Sequence, residues 1–296
     1  MPISADEHDG AELPTRSPLM NLNIFGVSLP SDTVQAIHRF LCTYINHSNV
    51  EFEGKLGLIR SSSNERLYLG VSGTTPLRSS HFDVHNPVNF VSSIQNAQFK
   101  RINERLNEWF QKCHAQERLS YSRTTELDHF YPDKVRVSID KKTQQPTRYI
   151  KKTRLSSLDI HVPSSQYDIR LSASQETPCN PPTKPSFMIR QKNRISYKWS
   201  IWSLDLTEIH TFNNIQDGKP VGSSNITHEL ELEIANHQLL VQLIANHSHA
   251  QLLEICKAWL NNMYICGRIT DPSFQMPVFF STQTASNTPA KRPRNH

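Results

Sequence analysis

VEFEGKLGLI, residues 50–59, places Val50, Phe52, Gly54 and Leu56 at alternate positions and Glu51, Glu53 and Lys55 between them. A β-strand sends successive side chains to opposite faces, so the two glutamates and the lysine share one face and the apolar residues the other. HELELEIA, residues 228–235, repeats the pattern with Glu229, Glu231 and Glu233 on one side and Leu230, Leu232 and Ile234 on the other. An ordinary half-buried strand also alternates, with its charges in water. Three carboxylates at i, i+2 and i+4 repel one another, however, unless a cation or a metal ion lies among them.

The intervening segments supply cations in the same period. KVRVSID (134–140) carries Arg136, and RYIKKTRL (148–155) carries Lys152 and Arg154. RQKNRISYKWS (190–200) aligns Arg190, Lys192, Arg194, Ser196 and Lys198. YDIRLSASQE (167–176) aligns Asp168, Arg170, Ser172, Ser174 and Glu176, and WSLDLTEI (202–209) alternates in the same way. Convergence of these faces gives an α+β protein: a β-barrel with a polar interior and an apolar outer wall covered by helices.

Three helical regions are predicted. SDTVQAIHRFLCTYINH starts with Ser31 or Asp32 as N-cap and sets Val34, Ile37, Leu41, Tyr44 and Ile45 on one face. Pro87–Arg118 offers Phe90, Val91, Ile94, Ile102, Leu106, Trp109 and Phe110. His237–Gly267 is rich in Leu and Ile and breaks near Asn246–His249, with HSHA around His247 and His249 read as a helix-joining segment. Trp109, Trp199, Trp202 and Trp259 sit at apolar positions and are expected in the core.

The 296 residues carry a formal charge of +5, which is too mild to dictate a partner. The five cysteines are scattered without a CxxC pair and read as intracellular thiols. Neither a signal peptide nor a long apolar stretch is evident, so a soluble protein with no membrane partner is expected. Residues 1–28 and 282–296 are read as loose tails and 29–281 as the functional domain. KRPR (291–294) suits a nuclear import signal or a solubilising end. The chain lacks GxxxxGK[ST], HExxH and GxSxG, which leaves P-loop and serine-hydrolase chemistry unsupported.

Glutamates at alternate strand positions offer hard oxygen ligands suited to Mg²⁺ or Mn²⁺ rather than zinc. Arginine forks and lysine ammoniums match phosphate oxygens. Taken singly, each basic strand also fits a surface patch or nonspecific RNA contact. Together with the glutamates they point to metal-dependent hydrolysis of a triphosphate.

VEFEGKLGLI with its ExExK element, HELELEI, and KVRVSID, IKKTRL, DIRLSASQE and RQKNRISY in that chain order resemble the fungal-type mRNA 5′-triphosphatases. These are capping enzyme beta subunits in the triphosphate tunnel metalloenzyme superfamily, and the likeness covers about residues 31–270. The resemblance implies an eight-stranded antiparallel tunnel that hydrolyses the γ-phosphate of nascent pre-mRNA to leave a diphosphate end. It implies metal ligation by Glu51, Glu53 and Glu233, and catalytic or supporting roles for Glu176, Glu229 and Glu231, with Glu176 orienting the attacking water. Phosphate binding falls to Lys55, Arg136, Lys152, Arg190, Lys192 and Arg194, with Asp205 and Thr207 as further members.

The resemblance also implies a nuclear homodimer functionally linked to mRNA guanylyltransferase. Some members dock that enzyme through a Trp-containing segment ahead of the catalytic domain. Residues 1–28 contain no Trp, so recruitment through the phosphorylated RNA polymerase II tail or an elongation factor is expected instead. Two alternatives stand beside this reading: a tunnel phosphohydrolase for nucleoside triphosphate or inorganic polyphosphate, and a non-catalytic polyanion-binding scaffold.

Overall fold

Alternation along the two glutamate-bearing segments becomes a wall with two chemically distinct faces. In the computed structural model, residues 29–77, 88–112, 120–216, 218–269, 271 and 274 are described. The proposed tails at 1–28 and 282–296, including KRPR, lie outside these residues. The chain separates into Met1–Ser31 and a compact unit, Asp32–His296, which carries every element below.

In chain order the elements begin with α1 (Asp32–Tyr44), β1 (Val50–Arg60), β2 (Thr75–Leu77), β3 (Asn89–Val91), α2 (Asn96–Lys112) and β4 (Ser120–Phe130). Next come β5 (Val135–Asp140), β6 (Pro146–His161), β7 (Asp168–Pro178), β8 (Met188–Trp199) and β9 (Trp202–Phe212). A small hairpin, β10 (Ile215–Gln216) and β11 (Lys219–Pro220), precedes β12 (Asn225–Ile234), α3 (His237–Ala245) and α4 (His249–Arg268).

Eight strands run antiparallel in the order β12-β9-β8-β4-β5-β6-β7-β1, and β1 pairs back onto β12. Closure satisfies both strand edges, so the backbone of the wall is paired all the way round. Val50, Phe52 and Leu56 of β1 and Leu230, Leu232 and Ile234 of β12 turn outward. They join Ile37 and Leu41 of α1 and Leu252, Cys256, Trp259 and Met263 of α4 in one apolar cluster. Each buried aliphatic side chain there stabilises the fold by about 1.5–3 kcal/mol. No helix among the described residues is long and apolar enough to cross a membrane.

Gly54 explains how α4 lies so close to β1. A Cβ at that position would clash with the indole edge of Trp259, which is itself fully buried, and crowd the Met263 sulfur. Glycine ordinarily weakens a strand, but here Gly54→Ala is expected to lower the thermal midpoint, with an overpacking cost of about 1–3 kcal/mol. An unchanged or raised midpoint would contradict this close packing.

Two expectations need correction. Of the helix expected over Pro87–Arg118, the described residues form α2 over Asn96–Lys112, while Asn89–Val91 forms β3, paired with Leu58–Arg60; residues 113–118 lie outside the described residues. Phe90 and Val91 suit either state by composition, and the end of β1 beyond its pairing with β12, with the bare Cα of Gly57 against the Phe90 ring, selects the strand. Trp199 is 42% exposed rather than core: it flanks the tight turn at Ser200 and meets the half-buried Trp109 edge-to-face at 5.8 Å. Trp202 and Trp259 are buried as expected. The break in the last helical region falls where HSHA suggested, with His247 in the left-handed conformation (φ 52°) between α3 and α4.

β4 was not legible as a strand, although it pairs with β8 along its whole length. β6 runs past Leu155 to His161 because a bulge between Arg154 and Ser156 resets its alternation. That bulge lets Lys152 and Arg154 on one side, and Ser157 and Asp159 on the other, occupy inward positions.

Candidate active site

The inward faces enclose a cavity of about 360 Å³ lined by nine Lys or Arg residues and seven Asp or Glu residues. Every residue singled out as a metal, catalytic or phosphate ligand in the sequence lines it: Glu51, Glu53, Lys55, Arg136, Lys152, Glu176, Arg190, Lys192, Arg194, Glu229, Glu231 and Glu233. Asp205 lines it too, while Thr207 is buried in β9 opposite Arg194.

Strand register divides the acidic floor into two kinds of glutamate. Lys55 of β1 stands opposite Glu231 of β12, and its Nζ lies 2.6 Å from Glu231 Oε1, 3.4 Å from Glu53 and 3.5 Å from Glu229. Burial opposes the charge on Lys55, but the surrounding glutamates outweigh it and hold the ammonium strongly protonated. Burial likewise acts against Glu231, and Lys55 together with Arg194 keeps it well below the usual carboxylate range.

Glu53, in contrast, stands opposite Glu233. Like charges directly across a strand pair are destabilising. Burial and the Glu231 charge push Glu53 up to about 8, and burial with Glu51 and Asp205 raises Glu233. Glu51 is held by Lys152 Nζ at 2.9 Å.

The basic wall is anchored from behind. Glu176 receives Arg136 at 3.0 Å and Lys152 at 3.2 Å; burial disfavours its charge, but these two cations lower its pKa. Arg194 meets Asp205 at 3.2 Å and Glu231 at 3.8 Å. Lys192 is bound at 2.6 Å by Asp128, which also accepts from Ser138 Oγ at 2.6 Å. The Nε groups of Arg136, Arg190 and Arg194 and the Thr207 hydroxyl are buried without hydrogen-bond partners among the described residues. Buried donors of this kind suit the oxygen-rich surface of a phosphate chain.

Sequence reasoning missed Asp128 because it missed β4; the alternation Glu126, Asp128, Phe130 within TELDHF was the available signal. It also gave no role to Asp168, which is fully buried and structural. That carboxylate binds Arg66 at 2.7 Å and accepts the backbone N–H groups of Ile59 and Val162.

A sequence profile described as mRNA capping enzyme, beta chain, matches residues 28–271. The chain belongs to this family. The mRNA-capping enzyme subunit beta of Schizosaccharomyces pombe is 32% identical over 252 residues, covering 79% of this chain and 80% of the relative. The Cryptococcus neoformans subunit beta is 31% identical over 224 residues, covering 72% of this chain but 55% of its own length. The solved structure of S. pombe Pct1 RNA triphosphatase superimposes with a TM-score of 0.75 at 26% identity, covering 86% of this chain and 99% of Pct1. A second Pct1 structure, in complex with the Spt5 CTD, gives 0.74 at 28% identity, covering 86% and 98%. The eight-stranded tunnel described above is therefore the fold of this capping-enzyme beta-chain family.

Proposed function

We propose that this chain is an mRNA 5′-triphosphatase, a hydrolase that removes the γ-phosphate from the 5′-triphosphate end of nascent mRNA with the help of Mg²⁺ or Mn²⁺. The observation that carries the reading is one closed lumen in which opposed glutamates face a wall of arginine and lysine. Family membership and the Pct1 likeness supply the reaction class. Among the described residues no three acidic, histidine or cysteine side chains form a ready-made metal cluster; Lys152 holds Glu51 and Lys55 holds Glu53. The donor set nonetheless fits a hard divalent ion: it is all carboxylate oxygen, and the Glu53–Glu233 opposition is unfavourable until a cation offsets it.

Glu51, Glu53 and Glu233 are the proposed metal ligands. When bound, the ion would polarise the γ-phosphoryl oxygens and offset the charge that develops on them. Arg136, Lys152, Arg190, Lys192 and Arg194 bind and orient the phosphate chain, and Asp128, Asp205 and Glu176 fix the directions of Lys192, Arg194, Arg136 and Lys152. Glu176, kept ionised by its two cations, accepts a hydrogen bond from the attacking water and orients it in line with the scissile bond. Glu229 and Glu231 keep Lys55 charged beside the phosphates. No covalent intermediate is needed.

Placement in the nucleus and functional coupling to guanylyltransferase follow from this substrate. The Spt5 CTD seen with Pct1 supports recruitment through a polymerase-associated partner; the phosphorylated polymerase tail or an elongation factor is the proposed route, and a homodimer is carried over from the resemblance. Phosphate release from 5′-triphosphate RNA, ATP and tripolyphosphate, each with Mg²⁺ and with Mn²⁺, tests the assignment. RNA turnover dependent on the divalent ion is expected. Turnover of ATP or tripolyphosphate alone would replace the capping role with a general phosphohydrolase, and inertness towards all three would leave a polyanion-binding scaffold.

A further inference from the structure

Three inward-facing cations on β8 form a ladder running away from the acidic floor. Arg194 is answered by Asp205 and Glu231, and Lys192 by Asp128. Arg190, last on the ladder, makes no ion pair among the described residues. Its guanidinium carbon lies 5.4 Å from the centroid of the Phe130 ring, and its buried Nε has no hydrogen-bond partner among them. Both residues line the cavity, and Phe130 is the last residue of β4.

We propose that the Phe130–Arg190 pair seats the first nucleobase of the substrate, and so favours triphosphates that carry a nucleoside over inorganic polyphosphate. Four residues of β8 from Arg194 to Arg190 cover about 13 Å, a span on the scale of a nucleotide with its three phosphates. With the γ-phosphate beside Glu51, Glu53 and Glu233, the chain of phosphates follows Arg194 and Lys192 and delivers the base to the aromatic ring. Every base has a π-face, so stacking on an aromatic ring backed by guanidinium is tolerant of sequence, as an enzyme acting on all transcripts needs. Arg190 Nε remains free to bond an oxygen of the α-phosphate or ribose.

The other cation–π pair in the cavity differs in the features that matter. Arg170 lies 4.6 Å over Phe90, but Asp159 grips its guanidinium with bonds of 2.6 and 2.7 Å, and the Phe90 ring packs on Gly57. Its charge and its ring are already engaged in the wall.

The proposal rests on the triphosphatase reading, and its test separates the two. Turnover of 5′-triphosphate RNA and of tripolyphosphate is measured on the wild type, F130A, F130L and F130W, with melting curves as a folding control. Loss of stacking should lower the ratio of kcat/KM for RNA to that for tripolyphosphate roughly ten-fold or more in F130A and F130L, mainly through KM. F130W should keep the ratio. An RNA-active wild type whose F130A and F130L variants lose both substrates equally, or neither, overturns this proposal alone. A wild type without RNA turnover overturns the triphosphatase reading, and this proposal with it.

Discussion

A Glu53→Gln protein should lose phosphate release by about a thousand-fold while its metal-free form melts higher than the wild type at about pH 8.5. The activity loss follows from removing one ligand of the proposed ion, because a Lewis-acid contribution of several kcal/mol corresponds to about three powers of ten in rate. The stability gain follows from register. Glu53 stands across from Glu233, and burial and Glu231 push its carboxyl up to about 8. In the unfolded chain the same carboxyl ionises near its ordinary value of about 4.3.

Between those values the folded protein keeps a proton that the unfolded chain has released, so rising pH favours unfolding. The penalty is absent below the unfolded value and complete above about 8. Glutamine cannot ionise and escapes it. The gap in melting temperature should therefore be widest at alkaline pH and close towards pH 4–5. Added Mn²⁺ should raise the wild-type midpoint and shift E53Q far less, since a ligand stabilises only the state that binds it. A lower midpoint for E53Q at alkaline pH, or equal Mn²⁺ shifts in both proteins, would remove Glu53 from the metal floor.

Much of this site was legible because its chemistry has the period of a strand. The two glutamate segments and the RQKNR ladder could be placed on inward faces from alternation alone, and a barrel follows once both polar faces must be enclosed. Register was not legible. Whether Glu53 faces Glu233 or Glu231 depends on the stagger with which β1 closes on β12, and that depends on the whole circumference of the wall. β4 escaped because the first half of SYSRTTELDHF is exposed on both sides, so no apolar face announces it.

Alternation also fails where the backbone departs from it. The bulge after Arg154 hides the inward placement of Ser157 and Asp159. Asp168 shares the parity of Arg170 and Glu176, yet lies where the strand begins and is consumed by Arg66 and backbone donors. Periodicity identifies a face; it does not say which part of that face reaches the cavity.

Lys55→Met should be the most destabilising single change in the lumen. Methionine keeps most of the stem and removes the ammonium that three carboxylates surround, the nearest at 2.6 Å. Breaking a buried pair by deleting one partner costs about 3–5 kcal/mol, because the remaining charge is left desolvated. Glu231 bears most of that cost: its depressed pKa contributes stability that is present above its unfolded value and lost only as pH falls through the folded one. Without Lys55 that contribution shrinks, so the K55M deficit should be large at neutral pH and diminish on acidification as the carboxyls take up protons.

Adding Glu231→Gln to K55M tests the assignment to this pair. If the damage in K55M is the orphaned charge of Glu231, the double variant should be more stable than K55M alone, giving a coupling energy in a double-mutant cycle. If the damage is lost packing of the lysine stem, E231Q should only add to it, since Arg194 would then lose a charge partner as well. Urea unfolding of the four proteins at two pH values decides between these outcomes. Additive losses that do not vary with pH would show that Lys55 is not the structural counter-ion of the acidic floor, and would leave its charge available to the triphosphate alone.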